Sequence, residues 1–246
     1  MDSLFFELFE ALPRQAPGSV RATLRALSSV TLPPPPMSIL DIGCGAGAQT
    51  ITLARHCAGH IVAVDNHQPF LNTLAARAAA AELRATVNCR NADMRTLAFP
   101  DGSFDLVWAE GSIYIMGFEA GLKMIRPFLR KGGYAVFSDM VWLTDTPPPE
   151  AVEFFATEYP AMMRSADIRS LVVNAGYTLV DSFPIGVEDH WKTYYEPMQE
   201  QVNLIRAAHR NDPPAQELCD TLQHEIDVYA SCSSAFGYVF SIMQRS

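Results

Sequence analysis

Residues 39–50 read Ile-Leu-Asp-Ile-Gly-Cys-Gly-Ala-Gly-Ala-Gln-Thr, and this stretch decides the fold. An apolar run ends in Asp41, three alternating glycines follow at Gly43, Gly45 and Gly47, and a helix-forming stretch comes next. Glycines at this spacing let the backbone turn sharply and approach a ligand closely, because they carry no Cβ. We therefore predict a strand, a tight loop and a helix whose N-terminus receives a nucleotide-like cofactor.

The charge beside this loop discriminates between two such cofactors. Gly43-x-Gly45-x-x-Ala48 also satisfies the dinucleotide pattern, so NAD is one alternative. A pyrophosphate would be repelled by the carboxylate of Asp41 at the strand end. S-adenosylmethionine has no phosphate, and its sulfonium and ammonium groups are cations that a carboxylate attracts. Asp41 therefore favours S-adenosylmethionine, and a buried Asp that only caps the turn is compatible with the same ligand.

Two further acids follow predicted strands. Residues 61–65 form an apolar run ending in Asp65, typical of a buried parallel strand, at the spacing where a carboxylate binds ribose hydroxyls. Asp93 follows a third strand, where it can accept a hydrogen bond from the adenine amino group, with Met94 as an apolar surface against the ring. Alone, Asp93 is more typical of a loop cap. In series with Asp41 and Asp65, it favours an adenosine site.

These segments resemble the class I S-adenosylmethionine-dependent methyltransferases. The matching segments are 40–47, 64–65, 92–94, 100–107 and 126–133, in the family's order across 38–137. Within the family the chain looks most similar to small-molecule enzymes like the quinone-biosynthesis C-methyltransferases. The resemblance implies an α/β, Rossmann-like, seven-stranded and mostly parallel sheet with a reversed last strand and helices on both faces. It also implies that Gly43, Gly45 and Gly47 pack against the methionine part, that Asp65 holds the ribose and that Asp93 contacts the adenine.

Composition fits a single compact enzyme of 246 residues. Half the chain is hydrophobic (49%) and only 18% is charged, which argues against disorder. The formal charge of −9 disfavours a nucleic-acid partner, which needs a basic surface. The acidic start lacks the positive charge of a signal peptide, and no apolar run reaches transmembrane length.

The number and spacing of the cysteines indicate the redox compartment and the absence of a zinc site. The five cysteines are Cys44, Cys57, Cys89, Cys219 and Cys232. They form no zinc spacing, and an odd number partly inside predicted core elements is typical of reduced thiols. We expect a cytoplasmic protein with no metal, nucleic-acid or membrane partner; a homo-oligomer remains possible.

Strand and helix patterns organise the chain. Strands are predicted at 38–42, 61–65, 85–89, 104–109, 134–140, 178–183 and 237–243, and helical stretches between them indicate a parallel sheet. We predict one methyltransferase domain over 1–246. Its parts are an N-terminal helical cap with a Pro-rich connector (1–36), a cofactor-binding core (37–144), helical insertions (145–163 and 188–229) and the last strand (230–246). Insertions after the fifth and sixth strands emerge where the ligand crevice lies, so we favour a lid over the acceptor site rather than sheet padding or a dimer contact.

Methyl transfer from a sulfonium is an in-line displacement that depends mainly on alignment. A base is needed only when the acceptor must lose a proton. Glu110, at the end of the fourth strand, is a candidate for holding the donor, binding a cationic acceptor or acting as a base, and a loop-capping role is an equal alternative. His190 is the second candidate base, although a lone histidine is more often structural.

Other candidates follow from position. The predicted cofactor contacts are Asp41, Gly43, Cys44, Gly45, Gly47, Asp65, Asn66, Asp93, Met94 and Glu110. The predicted acceptor contacts are Tyr114, Trp142, His190, Trp191 and Tyr194. Asp139 ends the fifth strand near the same pocket. Arg14 and Gln15 are candidates for reaching the donor's carboxylate from the N-terminal cap, with surface solvation as the default for Arg14.

The sequence thus predicts transfer of a methyl group from S-adenosylmethionine to an O, N or C nucleophile of a small organic acceptor. An NAD-linked oxidoreductase and a non-catalytic adenosine-cofactor binder are the alternatives, and protein methylation is a weaker one. The acceptor itself, whether a quinone carbon, a phenol, an amine or a carboxylate, stays open.

Overall fold

Alternating strands and helices build the molecule, which was obtained as a computed structural model describing residues 2–246. The strands are β1 Met37–Ile42, β2 Gly59–Asp65, β3 Ala85–Asn91, β4 Phe104–Glu110, β5 Leu129–Trp142, β6 Tyr177–Pro184 and β7 Phe236–Arg245. The α-helices are α1 Asp2–Ala11, α2 Val20–Ser28, α3 Ala48–His56, α4 Gln68–Ala79, α5 Phe118–Ile125, α6 Pro149–Glu158, α7 Ile168–Asn174, α8 Val187–His190, α9 Glu196–Ala208 and α10 Pro213–Cys232. Met1, the first residue of the predicted cap, lies outside the described residues.

The seven strands form one sheet in the order β3-β2-β1-β4-β5-β7-β6. β1 pairs in parallel with β2 and β4, so that Asp41 lies opposite Ala63 on one side and Trp108 on the other. β7 runs antiparallel to both β5 and β6. The predicted mostly parallel sheet with a reversed last strand is confirmed.

Helices cover both faces of the sheet, because successive side chains of a strand point to opposite sides. Ile39 of β1 belongs to the hydrophobic core that includes Ala26 and Leu27 of α2. Leu40, its neighbour, belongs to a second core that includes Leu122 of α5. All three strand residues 39, 40 and 42 are fully buried, as expected for a central parallel strand.

Several boundaries differ from the sequence predictions by one or more residues, and two of the differences are three residues or more. β5 begins at Leu129 rather than 134, because Leu129 pairs with Phe104 of β4 before the register between the two strands shifts. The polar residues 130–133 hide this early start of the strand in the sequence. The second insertion, predicted to end at 229, ends in a helix that continues to Cys232, whose buried side chain extends the apolar stripe of Ile226 and Tyr229.

The two insertions lie after β5 and β6, at the carboxyl ends of the parallel strands. α6 forms the first, and the second contains α8, a π-helical turn at Trp191–Tyr195, α9 and α10. Among residues 2–246, none of the helices combines the length and the apolar character that crossing a bilayer requires.

Candidate functional site

The glycine loop connects β1 to α3 and is held against β2. The amide groups of Gly43 and Cys44 donate to the carbonyl oxygen of Val64 at 2.8 and 3.0 Å. Gly43 has a φ of +67°, and a Cβ there would lie 2.3 Å from the Cβ of Ser112. A side chain is therefore excluded by both backbone conformation and space, which confirms the predicted tight turn.

Asp65 ends β2 beside this loop. Its Oδ2 accepts a hydrogen bond from the amide of Gly45 at 2.9 Å, and its Oδ1 accepts one from the amide of His67 at 2.9 Å. Two backbone donors therefore fix the carboxylate at the mouth of the loop. This is the position at which a parallel α/β sheet binds ribose.

A cavity of about 640 Å³ lies at the carboxyl ends of the strands. The loops after β1 to β4 form one part of its wall. Other parts come from α1, residues 14–16, α6, the π-helical turn and α10, with single residues from α4, β5 and β7. The predicted site residues that line it are Gly43, Cys44, Gly45, Asp65, Asn66, Asp93, Met94, Glu110, Tyr114 and Tyr194. The structure thus brings most of the predicted residues to one place, under the two insertions.

Asp41 and Gly47 are exceptions, because neither lines the cavity. Asp41 is fully buried and accepts hydrogen bonds from the hydroxyl of Thr50 at 2.6 Å and the amide of Gln49 at 3.3 Å. Burial raises the pKa of Asp41 to about 7, although these two hydrogen bonds act to lower it. The predicted direct contact between Asp41 and the donor's cations is therefore corrected: Asp41 ties the end of β1 to α3 and shapes the loop from behind. Gly47 precedes α3, where a Cβ would meet Leu74.

Glu110 lines the cavity, and its two oxygens accept three hydrogen bonds. Arg14 donates to Oε2 at 2.5 Å, while Thr23 and the indole of Trp108 donate to Oε1 at 2.7 and 2.8 Å. Arg14 is 8% exposed, so the expectation of surface solvation for Arg14 is wrong. With both oxygens engaged in this way, Glu110 anchors the N-terminal segment to the end of β4.

Gln15, next to Arg14, closes the N-terminal segment on the glycine loop. Its Oε1 accepts a hydrogen bond from the amide of Ala46 at 2.8 Å. Its Nε2 donates to the carbonyl oxygens of Phe9 and Leu12, each at 3.1 Å. The cap and the loop are therefore one hydrogen-bonded unit, and Gln15 lines the cavity.

Asp93 begins a short 3₁₀ turn after β3. It pairs with Arg95, whose Nη2 lies 2.7 Å from Oδ2, and this hydrogen bond lowers the pKa of Asp93. Asp93 lines the cavity beside Met94. Both the predicted acid and the apolar neighbour therefore border the same space.

His190 does not line the cavity, and the structure contradicts its roles as a base and an acceptor contact. Its ring is fully buried, stacks on Tyr195 at 5.0 Å and meets Tyr229 at 4.2 Å. Neither ring nitrogen has a hydrogen-bond partner among the described residues. Burial lowers the pKa of His190 to about 3, so the ring is a neutral core group at physiological pH.

Trp142 and Trp191 are also absent from the cavity wall, which corrects their predicted acceptor contacts. Trp142 packs edge-on against Phe155 at 5.7 Å and Phe236 at 6.1 Å. Trp191 stacks on Tyr229 at 6.5 Å. Both indoles are partly buried and pack against the hydrophobic core under the insertions.

Sequence reasoning missed Glu225, which lines the cavity from α10. It lies three and seven residues after Leu222 and Leu218, two other wall residues, and so occupies the apolar face of that helix. Burial raises the pKa of Glu225 to about 7, although a 3.0 Å hydrogen bond from the hydroxyl of Tyr195 acts to lower it. The sequence signal that could have identified Glu225 is an acidic residue within the apolar stripe of a helix.

Asp139 is a second acid whose pKa burial raises to about 7. A hydrogen bond from the Tyr159 hydroxyl to Oδ2, at 3.2 Å, acts to lower this pKa. Asp139 does not itself line the cavity, whereas Tyr159 and Met140 do. It therefore acts on the pocket through Tyr159, whose ring meets that of Tyr114 at 5.7 Å.

A family model described as "Methyltransferase domain" matches residues 39–133. Among curated proteins, phosphoethanolamine N-methyltransferase 1 of Arabidopsis thaliana is 28% identical over 189 residues, covering 76% of this chain and 37% of that protein. O-methyltransferase cnsE of Penicillium expansum is 26% identical over 147 residues, covering 58% of this chain and 52% of that protein. The chain thus spans between about a third and a half of the length of these relatives.

Solved structures share the whole fold. A SAM-dependent methyltransferase from Geobacter sulfurreducens, solved with S-adenosyl-L-homocysteine, superposes with a TM-score of 0.82 at 20% identity, covering 100% of this chain and 99% of that one. Residues 39–133 therefore match the model of a methyltransferase domain, and the described chain has the fold of these solved methyltransferases.

Proposed function

We propose that this chain transfers a methyl group from S-adenosylmethionine to a small organic acceptor, mainly by positioning the two for in-line displacement. One observation carries the proposal. A single cavity joins the glycine loop and Asp65 at one end to an aromatic end under α6 and α10 at the other. Such a continuous space suits two ligands whose reacting atoms must meet.

The residues of the first end fit the donor. Gly43 and Gly45 line this end of the cavity beside Cys44 and Gln15, where their backbone would pack against its methionine part. Asp65 and Asn66 would hold the ribose, and Asp93 with Met94 would border the adenine. When bound, S-adenosylmethionine supplies a methyl group on a cationic sulfur.

The helical insertions would exclude water from this reaction. Phe154 and Phe155 of α6 and Leu218 and Leu222 of α10 present apolar side chains to the cavity. We infer that the cap, the core, both insertions and the last strand act as one domain, because each of these parts contributes residues to the cavity wall.

The names of the relatives leave the acceptor atom open. They include N-, O- and sterol 24-C-methyltransferases, whereas the likeness to quinone-biosynthesis enzymes rests on the sequence motifs alone. All five cysteines are free, which supports a reducing compartment such as the cytoplasm.

Calorimetric titration with S-adenosylmethionine, S-adenosylhomocysteine and NAD tests the proposal. We expect saturable binding of the first two and none of NAD. Asp65→Ala should weaken S-adenosylhomocysteine at least about tenfold, or 1.4 kcal/mol, because a charge-assisted hydrogen bond to ribose is lost.

Asp101→Ala is the matched control, because Asp101 is exposed and lies outside the cavity wall. Its affinity for S-adenosylhomocysteine should equal that of the wild type. Binding of NAD in place of the methyl donor would overturn the proposal in favour of an oxidoreductase. Donor binding without turnover on any acceptor would favour a non-catalytic binder.

A further inference from the structure

The charges that line the cavity do not balance. Five carboxylates border it, from Asp65, Asp93, Glu110, Glu158 and Glu225. Only two cationic side chains do, and each is already paired: Arg14 with Glu110 at 2.5 Å and Arg95 with Asp93 at 2.7 Å. Asp65 is held by loop amides. Within residues 2–246, Glu225 therefore has no cationic partner, and neither does Glu158, which is exposed at the edge of the cavity.

Two tyrosine hydroxyls at the same end also lack partners. Tyr194 and Tyr238 are 8% and 7% exposed, and both side chains line the cavity. Neither hydroxyl has a hydrogen-bond partner in the described part of the chain. Neither oxygen is among the fully buried polar atoms that lack a partner, so both are open to the cavity and available to a ligand.

These groups are close enough to influence one another. Burial, followed by the nearby charge of Glu225, raises the pKa of both Tyr114 and Tyr194. Tyr195, Glu158, Tyr114, Tyr194 and Tyr238 are the titratable groups around Glu225. We call the set Tyr114, Glu158, Tyr194, Glu225 and Tyr238 the acceptor pocket.

The chemistry of the acceptor pocket selects the charge of its ligand. A carboxylate removed from water needs an opposite charge or strong donors, and Glu225 receives one neutral hydroxyl donor. Aromatic faces attract cations. An acceptor with a phosphate or carboxylate group would meet Glu158 and Glu225 with no free arginine or lysine in the cavity wall.

We propose that the methyl acceptor is a small amine that enters as an ammonium ion, is held by Glu225 among the rings of the acceptor pocket, and carries no phosphate or carboxylate group. This inference rests on the proposed function, since it names the substrate class of the same site. An ammonium supplies both the charge and the N–H donors that the carboxylate and the unpartnered tyrosine oxygens accept.

Glu225 also takes the proton that the reaction must remove. An ammonium has no lone pair, so one N–H proton first passes to the carboxylate of Glu225. The freed lone pair then forms the new N–CH₃ bond as the S–CH₃ bond breaks, and the electrons of that bond stay on sulfur. The product leaves as a methylated ammonium, and the proton on Glu225 passes to solvent. The raised pKa of Glu225, about 7, suits this transfer at neutral pH.

Matched ligands test the proposal on the full chain saturated with S-adenosylhomocysteine. The probes are phenethylamine with 2-phenylethanol, n-butylamine with n-butanol, and 3-phenylpropionate, with binding followed by ligand-observed NMR. We expect at least one amine to bind tenfold or more tightly than its alcohol, and the acid not to bind. With S-adenosylmethionine, mass spectrometry should find the methyl group on nitrogen.

Glu225→Gln should reduce the amine-over-alcohol preference at least tenfold while binding S-adenosylhomocysteine as the wild type does. Glu217→Gln, an exposed change on the same helix, should keep the preference. Tyr238→Phe provides a second variant, which removes only a hydroxyl and should weaken amine binding. A preference that survives Glu225→Gln would overturn the proposal, as would equal binding of amines and alcohols or methylation of a phenol oxygen.

The affinity for S-adenosylhomocysteine separates the two proposals. If it is retained and no amine is preferred, the amine acceptor is wrong and the proposed function stands. If the wild-type chain does not bind S-adenosylhomocysteine, the proposed function itself is wrong.

Discussion

Glu110 shows what one buried carboxylate contributes at the scale of a residue. It joins Arg14 of the N-terminal segment, Thr23 of α2 and Trp108 of β4 through three hydrogen bonds. The side chains of Arg14 and Glu110 are only 9% and 1% exposed, so solvent does not screen the pair strongly. Such a pair is costly to break, because removal of one partner leaves the other charge buried.

We therefore expect Glu110→Ala to lower the free energy of unfolding by about 3–5 kcal/mol, since Arg14 would be left buried and unpaired. Urea denaturation followed by circular dichroism measures this. Glu119→Ala is the control: Glu119 pairs with Lys123 at 2.7 Å on the surface of α5, where both side chains are well exposed. Its cost should stay below about 1 kcal/mol. Equal effects of the two changes would refute this account of Glu110.

At the scale of an element, α1 covers the cofactor end of the cavity. Phe5, Phe6 and Phe9 line the cavity from this helix. The ring of Phe6 stacks on that of His67 at 3.9 Å, and His67 lies 2.7 Å from Glu10. Because α1 contributes wall without belonging to the sheet, its stability should depend on what fills the cavity.

Hydrogen exchange tests this dependence. The amides of residues 2–11 should exchange about tenfold more slowly with saturating S-adenosylhomocysteine, because ligand binding stabilises the closed form of this helix. Amides of α7 provide the internal control, since none of its residues lines the cavity. Phe6→Ala should diminish the ligand-dependent protection of α1. Identical exchange of residues 2–11 with and without ligand would show that α1 is not coupled to the site.

At the scale of the whole molecule, buried ionisable groups set how stability depends on pH. His190 has a folded pKa of about 3, against 6.5 for an ordinary histidine. Between these values the unfolded chain binds the proton and the folded chain does not, so stability is complete above pH 6.5 and falls as the pH decreases toward 3. Asp41, Asp139 and Glu225, with pKa values raised to about 7, act with the opposite sign, because the folded chain holds their protons.

A difference between variants isolates the histidine. His190→Phe should remove a loss of about 2 kcal/mol that the wild type suffers between pH 8 and pH 5, since the other groups are unchanged. Urea denaturation at the two pH values gives both slopes. His60→Gln, a change at an exposed histidine, should leave the wild-type slope intact. The same slope in wild type and His190→Phe would mean that His190 titrates normally in the folded chain.

Local signals in the sequence determined the sheet and the cofactor loop. The glycines 43, 45 and 47 adopt positive φ, and Asp65 lies beside them, because backbone conformation and strand-end position are set by neighbouring residues. The reversed last strand came from family resemblance, since no local pattern encodes strand order.

Only the tertiary structure decided which side chains reach the cavity. Asp41 and His190 carry the right chemistry for a site, yet packing places both in the core, Asp41 on Thr50 and His190 against Tyr195 and Tyr229. Glu225 lies 178 residues after Gly47 of the glycine loop, and only the return of α10 over the strand ends brings it to the same cavity. Burial and pairing across such separations depend on the whole fold, because desolvation and charge are properties of the surroundings rather than of the residue.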